Sequence, residues 1–302
     1  MSLVSIPVSL SNPGQVFACL GLMEMTGLLS GPCVVRFNYS NDETECRFEL
    51  DAPKNCINMA IRFLARCTVI AIAPRPGPGS EFLSAAKWKI RTVISDGSFF
   101  PGATPDSPAP LPIQLSYEGV QIPIEHWLDS FRTGRDNFKL WAGSSGYPGA
   151  ALARDAICLL SNLDDPALDR IALNPFAFSA PMSSSFNFDW RRSYIPLDSG
   201  FSPNKQPAIH MVGFPLVELL AAAGLQNARP ARLVPKNKLA YRYYVSNAWL
   251  PPSLVRAVLG SDLTGCPVRG FRMYLGWPGK ENQARCIINA EEEKSCPSYQ
   301  PQ

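Results

Sequence analysis

The sequence predicts an α+β protein, and three observations carry that prediction. Residues 1–74 alternate strand and helix patterns in the order βαββαβ, the arrangement of a ferredoxin-like unit. Beyond residue 112, helix and strand patterns mix with no internal repeat. The chain holds 29 prolines and 21 glycines among 302 residues, which demands long loops, several of them Pro-rich. The predicted organisation is a ferredoxin-like βαββαβ unit over 1–74, a linker strand and Pro-rich loop over 75–112, and a mixed α+β basic region over 113–302.

Leu3–Val8 is β-rich and gives the first strand. Ser11–Leu29 is a helix with its start written in: Asn12 is a capping residue, and Pro13 sits where a missing N–H costs nothing. It is apolar nearly all round, only Gln15 and Glu24 being clearly polar along its body, so it demands cover on every side. Its head, Asn12, Gly14 and Gln15, is expected at the surface, with backbone amides able to hold a phosphate. Cys33–Asn38 and Glu43–Leu50 form a hairpin around the Tyr39–Asp42 turn. Lys54–Cys67 is an amphipathic helix, with Ile57, Ile61 and Leu64 on one face and Asn55, Asn58, Arg62 and Arg66 on the other. Val69–Ala73 closes the unit, and right-handed crossovers place both helices on one sheet face.

Lys87–Ile94 alternates as a strand that sets Lys87, Lys89 and Arg91 in a row at a spacing of ~6.6 Å, close to that of successive phosphates. The plain alternative is an edge strand blunted by lysine. Phe100–Pro112 is a Pro-rich loop. Helices are expected over Ile124–Arg135, Ala150–Asn162, Pro215–Ala223 and Pro252–Leu259. Strands are expected over Ile209–Phe214, Leu239–Val245, Gly270–Leu275 and Ala284–Asn289, followed by a frayed tail from Glu291.

Hydrophobic residues at 46% and charged residues at 18% describe a soluble globular protein with a real core. The best apolar run, Ile209–Leu225, is broken by His210, Pro215 and Glu218 and is not a membrane span. The N-terminus carries no basic n-region or cleavage site, so no signal peptide is expected. Nine cysteines with no C-x-x-C pair, beside only two histidines, argue for reduced buried thiols in a cytoplasmic protein; no metal and no cofactor is expected. His126 and His210 lie far apart and outside any H-E-x-x-H context. No G-x-S-x-G, Walker A, G-x-G-x-x-G or paired acidic motif occurs, so the sequence leans away from an enzyme.

The net charge of +3 is unevenly spread. Met1–Ala60 carries three Lys/Arg against six Asp/Glu, whereas Arg229–Arg285 carries ten against two, which points to a polyanion on the C-terminal half. Asn227–Tyr244 interleaves Arg229, Arg232, Lys236, Lys238 and Arg242 with Tyr241, Tyr243 and Tyr244 and holds no acid. Such cations neutralise phosphates and such rings stack on unpaired bases; a solvated basic loop is the plain alternative. Phe186–Tyr194 brings Trp190, Arg191 and Arg192 together with further aromatics, suited to a protein interface, to phosphates, or to a loop packed by its own rings. Lys280, in the Gly276–Lys280 turn, adds a candidate phosphate contact.

Several blocks resemble one family: Asn12-Pro-Gly-Gln-Val-Phe-Ala-Cys-Leu-Gly21, Phe138-Lys-Leu-Trp-Ala-Gly143, Phe188-Asp-Trp-Arg-Arg192, Val217-Glu-Leu-Leu-Ala-Ala222, Asn227-Ala-Arg-Pro230 and Leu275-Gly-Trp-Pro-Gly-Lys280. Over most of the length they are similar to a bacterial CRISPR-associated family of type I-G (formerly I-U) loci, a short large-subunit-like or RAMP-like component of the interference complex. The resemblance implies a non-catalytic subunit of an RNA-guided surveillance complex in antiviral defence. Its partners would be the other subunits, guide RNA and target DNA, with base pairing reading the target. The family supplies no catalytic or base-reading residue to carry over. The alternative is a RAMP-like, metal-independent endoribonuclease that processes guide RNA, with His126 or His210 as its base. A third reading is an assembly scaffold without nucleic-acid contact.

Overall fold

The computed structural model describes residues 1–39, 45–74, 85–95, 111–126, 143–144, 147–192, 211–234, 237, 239–261, 266–276 and 285–293. The fold is mixed α+β. Its first six elements follow in the predicted order: β1 (Ser2–Pro7), α1 (Pro13–Leu29), β2 (Val34–Asn38), β3 (Arg47–Ala52), α2 (Cys56–Arg66) and β4 (Thr68–Pro74). β3 lies between β1 and β2 and runs antiparallel to both, with Ile6 and Phe37 opposite Phe48. Alternation along the strands sends Val35, Phe37, Phe48 and Leu50 into the core, while Arg36, Asn38 and Arg47 face outward.

The fourth strand departs from a ferredoxin-like sheet. β4 pairs in parallel with β5 (Arg91–Ser95) on one side and antiparallel with β6 (Ile113–Tyr117) on the other, in a second sheet ordered β5-β4-β6-β7. Both of its hydrogen-bonding edges are thereby filled, and none remains for β1. β7 (Val120–Ile124) returns from β6 through Glu118 and Gly119, both at positive φ (47° and 82°), a two-residue hairpin turn.

Next come the short hairpin β8 (Gly143–Ser144) and β9 (Tyr147–Pro148), then α3 (Gly149–Ser161) and α4 (Asp165–Leu173). Asp164 caps α4, its carboxylate accepting the Ala167 amide at 2.9 Å. The polar face of α2 docks on this helix: Arg62 meets Asp165 at 2.9 Å and Asp169 at 2.8 Å, and Arg66 meets Asp165 at 2.9 Å. β10 (Ala180–Pro181) pairs with β11 (Val212–Gly213), and α5 (Pro215–Gly224) follows. A last antiparallel sheet runs β12 (Ala231–Arg232), β13 (Ala240–Ser246), β14 (Val268–Gly276) and β15 (Cys286–Glu292), with α6 (Pro252–Gly260) between β13 and β14.

Helix α1 is the centre of the packing. Every residue from Pro13 to Thr26 except Glu24 is buried, and all ten residues of α5 are buried. The two helices cross at backbone contact. A Cβ on Gly21 would lie 1.9 Å from the Leu220 carbonyl oxygen, and one on Gly224 would lie 2.2 Å from that of Phe17. Only glycine allows this approach. Phe17, Leu20, Leu22 and Met23 are at most 1% exposed; each such burial stabilises the fold by about 1.5–3 kcal/mol as an upper estimate. At its far end Glu24 grips Arg256 of α6 through two bonds of 2.6 Å. Among the described residues no helix is long and apolar enough to cross a membrane.

Candidate nucleic-acid interface

The Lys87–Ile94 strand is corrected by the structure. Ala86–Trp88 is a turn of 3-10 helix, Lys89 adopts the left-handed conformation (φ 59°), and extended backbone begins only at Arg91. The three cations therefore form no straight row; they ring a tight turn that leads into β5, the outer strand of its sheet. Lys87, Lys89 and Arg91 are exposed, and among the described residues none is ion-paired. The Lys87 ammonium lies 4.0 Å from the Trp88 ring centroid, so cation and half-buried ring present one composite surface. The turn is pinned from behind. The Arg154 guanidinium of α3 donates to the Trp88 carbonyl, and Arg154 is itself fixed by Asp155 and the Tyr147 hydroxyl. Exposed Val93 and Ile94 extend the surface along β5.

The expectation of a surface helix head at Asn12–Gln15 is overturned. Asn12 is fully buried, and rather than capping its own helix its side-chain amide donates to Asp189 at 2.8 Å. Gly14 packs against the backbone of Phe188, where a Cβ would come within 2.6 Å of the carbonyl oxygen. The 186–192 segment thus fills the place kept for a phosphate. Two carboxylates organise this buried knot. Asp189 accepts Arg191 at 2.6 Å, and Glu218 of α5 accepts the amides of Phe188 and Asp189, each at 3.1 Å. Burial pushes the Glu218 carboxyl up to about 7 even though those two amides favour its ionised form.

Arg191 also donates to the Phe176 carbonyl and lies 3.7 Å from the Phe214 ring centroid. Arg192 donates to the Asn187 side chain, and burial pulls its guanidinium below the usual range. Both arginines therefore hold the loop to the core. Trp190 stays 45% exposed, its indole N–H donating to the Ser11 carbonyl at 3.3 Å.

The Arg229–Tyr244 stretch splits in the same way. Tyr241 and Tyr243 are completely buried, not surface rings. Tyr243 stacks on Phe271 at 5.2 Å, meets Phe17 edge-on at 6.0 Å and donates to the Leu10 carbonyl at 2.6 Å. Arg232 stands beside the buried Tyr241 hydroxyl, and burial pulls Arg229 below the usual range, with Glu125 nearby. Arg242 is ion-paired with Glu293 at 2.5 Å, and Arg272, on the facing position of β14, reaches the same carboxylate at 2.9 Å. Residues 291–293 are therefore ordered rather than frayed: β15 includes Glu291 and Glu292, and Glu292 pairs with Arg269.

Lys236, Lys238, Lys280 and His210 lie outside the described residues. His126 is fully buried, its ring 6.1 Å from that of Phe188. Among the described residues no group of His, Cys, Asp and Glu is placed to hold a metal ion. Arg269 and Arg272, counted in the basic C-terminal half but part of no motif, stand three residues apart on β14. No protein-family model matches the chain, and no characterised protein or solved structure is recognisably similar to it.

Proposed function

We propose that this chain is a non-catalytic, nucleic-acid-binding subunit of a type I-G CRISPR interference complex, with the Lys87–Arg91 turn as its contact to guide RNA or target DNA. The observation that carries this reading is the exposed, unpaired state of Lys87, Lys89 and Arg91 around Trp88 on a rigidly held turn. Clustered cations supply the sequence-independent attraction to phosphates, and the ring offers a stacking surface for an unpaired base. The β1-β3-β2 arrangement supports kinship with ferredoxin-like subunits, with β4 diverted to a second sheet. A cytoplasmic location among the other subunits, in antiviral defence, belongs to the same reading. The burial of His126 weighs against the guide-processing alternative at that residue.

The test is binding of single-stranded RNA and DNA oligonucleotides by the purified protein over a salt series, with and without Lys87→Glu, Lys89→Glu and Arg91→Glu together. Salt-dependent binding lost in the triple variant is expected. Equal binding by both proteins overturns the assignment.

A further inference from the structure

A cleft of about 410 Å³ opens where the head of α1 meets the 174–177 turn and β14, away from the basic turn. This volume falls toward the lower end of small-molecule sites, ~300–1,000 Å³, and suits one compact ligand. Its polar wall includes side-chain donors. Gln15, only 5% exposed, lines the cleft; its Oε1 accepts the Ser9 amide at 2.8 Å, which leaves its Nε2 hydrogens without a partner among the described residues. Arg191 gives Nε and Nη2 to Asp189 and Phe176, and its Nη1 makes no hydrogen bond among the described residues. Arg269 also lines the cleft, its Nε and Nη2 held by Glu292. Phe176 and Phe271 supply apolar wall, and exposed Asn174 stands at the mouth.

The Gln15 amide therefore presents to the cleft a donor that no acceptor among the described residues takes up, and a ligand rich in acceptors matches it. Arg191 keeps one donor nitrogen for an acceptor-rich group, and the edges of Phe176 and Phe271, each 2% exposed, give the cleft an apolar side suited to a ring. We propose that this cleft binds a single nucleotide, its phosphate toward Arg191 and Arg269 and its ring against Phe176 and Phe271, with Gln15 donating to it. The proposal builds on the nucleic-acid reading but occupies a different surface. Each guanidinium is already balanced by a carboxylate, Asp189 for Arg191 and Glu292 for Arg269. The cleft therefore offers directed donors rather than a net field, and binding there depends only weakly on salt.

Titration calorimetry of the purified protein with 5′-AMP, 5′-UMP, the matching nucleosides and inorganic phosphate tests this. Two variants are compared. Gln15→Glu keeps the oxygen that accepts Ser9 and replaces the donor with a negative oxygen, and Asn174→Trp fills the mouth from an exposed position that does not threaten folding. Saturable nucleotide binding is expected, at least tenfold weaker in both variants and for the nucleosides. Binding unaffected by both variants overturns the proposal, and phosphate binding as well as the nucleotides reduces the cleft to a plain anion site and overturns it too. If neither nucleotide binds while an oligonucleotide binds through Lys87, Lys89 and Arg91, the cleft inference fails and the surface reading stands. The reverse pattern removes the surface reading alone.

Discussion

Lys87, Lys89 and Arg91 stand exposed around a turn with no acid paired to them among the described residues, whereas Arg242, Arg191 and Arg192 are drawn into the fold by carboxylates, carbonyls and amides. Both groups come from stretches that look basic and aromatic in sequence. The difference lies in what folding places beside them. Between Arg229 and Glu293 there are ten Lys/Arg and five Asp/Glu, and three of those acids sit at positions 291–293, next to the arginines of β13 and β14. Charge drawn into pairs holds structure together; charge left exposed remains available to a partner.

This contrast can be broken or sharpened experimentally. Arg191→Ala should have the largest effect. It removes the ion partner of the Asp189 carboxylate, which has no exposed side-chain area and keeps, among the described residues, only Asn12 and the backbone amide of residue 191, a loss of about 3 kcal/mol. Chemical denaturation reads this directly, and a loss below about 1 kcal/mol would place Arg191 with the surface cations. Glu218 gives the pH test. Its carboxyl titrates near 4.5 when unfolded and at about 7 in the fold, so folding takes up a proton between those values. The Glu218 contribution to stability is therefore fully present below about pH 4.5 and is lost as pH rises through 7, by about 3 kcal/mol in total. Glu218→Gln should flatten that slope in urea midpoints, and an identical slope in both proteins refutes the assignment.

Charge reversal of the turn comes next. It should lower single-strand affinity about a hundredfold, reduce the salt slope by about 2, and leave stability within ~0.5 kcal/mol. Glu293→Gln is the smallest and most informative change. It releases Arg242 and Arg272 toward solvent, and oligonucleotide affinity should rise a few-fold in electrophoretic or anisotropy titrations. No rise means that this sheet face takes no part.

Local grammar made much of the fold legible. Asn12-Pro13 marked the start of α1, Pro215 and Gly224 bracketed α5, and the spacing of Ile57, Ile61 and Leu64 gave α2 its buried face. What stayed hidden depended on distant partners or unusual backbone. Glu118 at positive φ concealed the β6–β7 hairpin, and Lys89 in the left-handed region turned an apparent strand into a turn. Strand alternation puts Tyr241 and Tyr243 on one face of β13 and Tyr244 on the other, but which face turns inward is decided by Phe17 and Phe271 from other elements. Asn12 looked like a cap because its partner, Asp189, lies 177 residues away.

The glycine crossing of α1 and α5 also constrains how the chain is made. A ribosome that has just released residue 29 must add roughly 190 more residues before α5 exists, about 10–40 s at ~5–20 residues per second. Throughout that interval a helix with almost no polar face has its main partner missing, so its apolar surface stays uncovered on that side until Gly224 arrives.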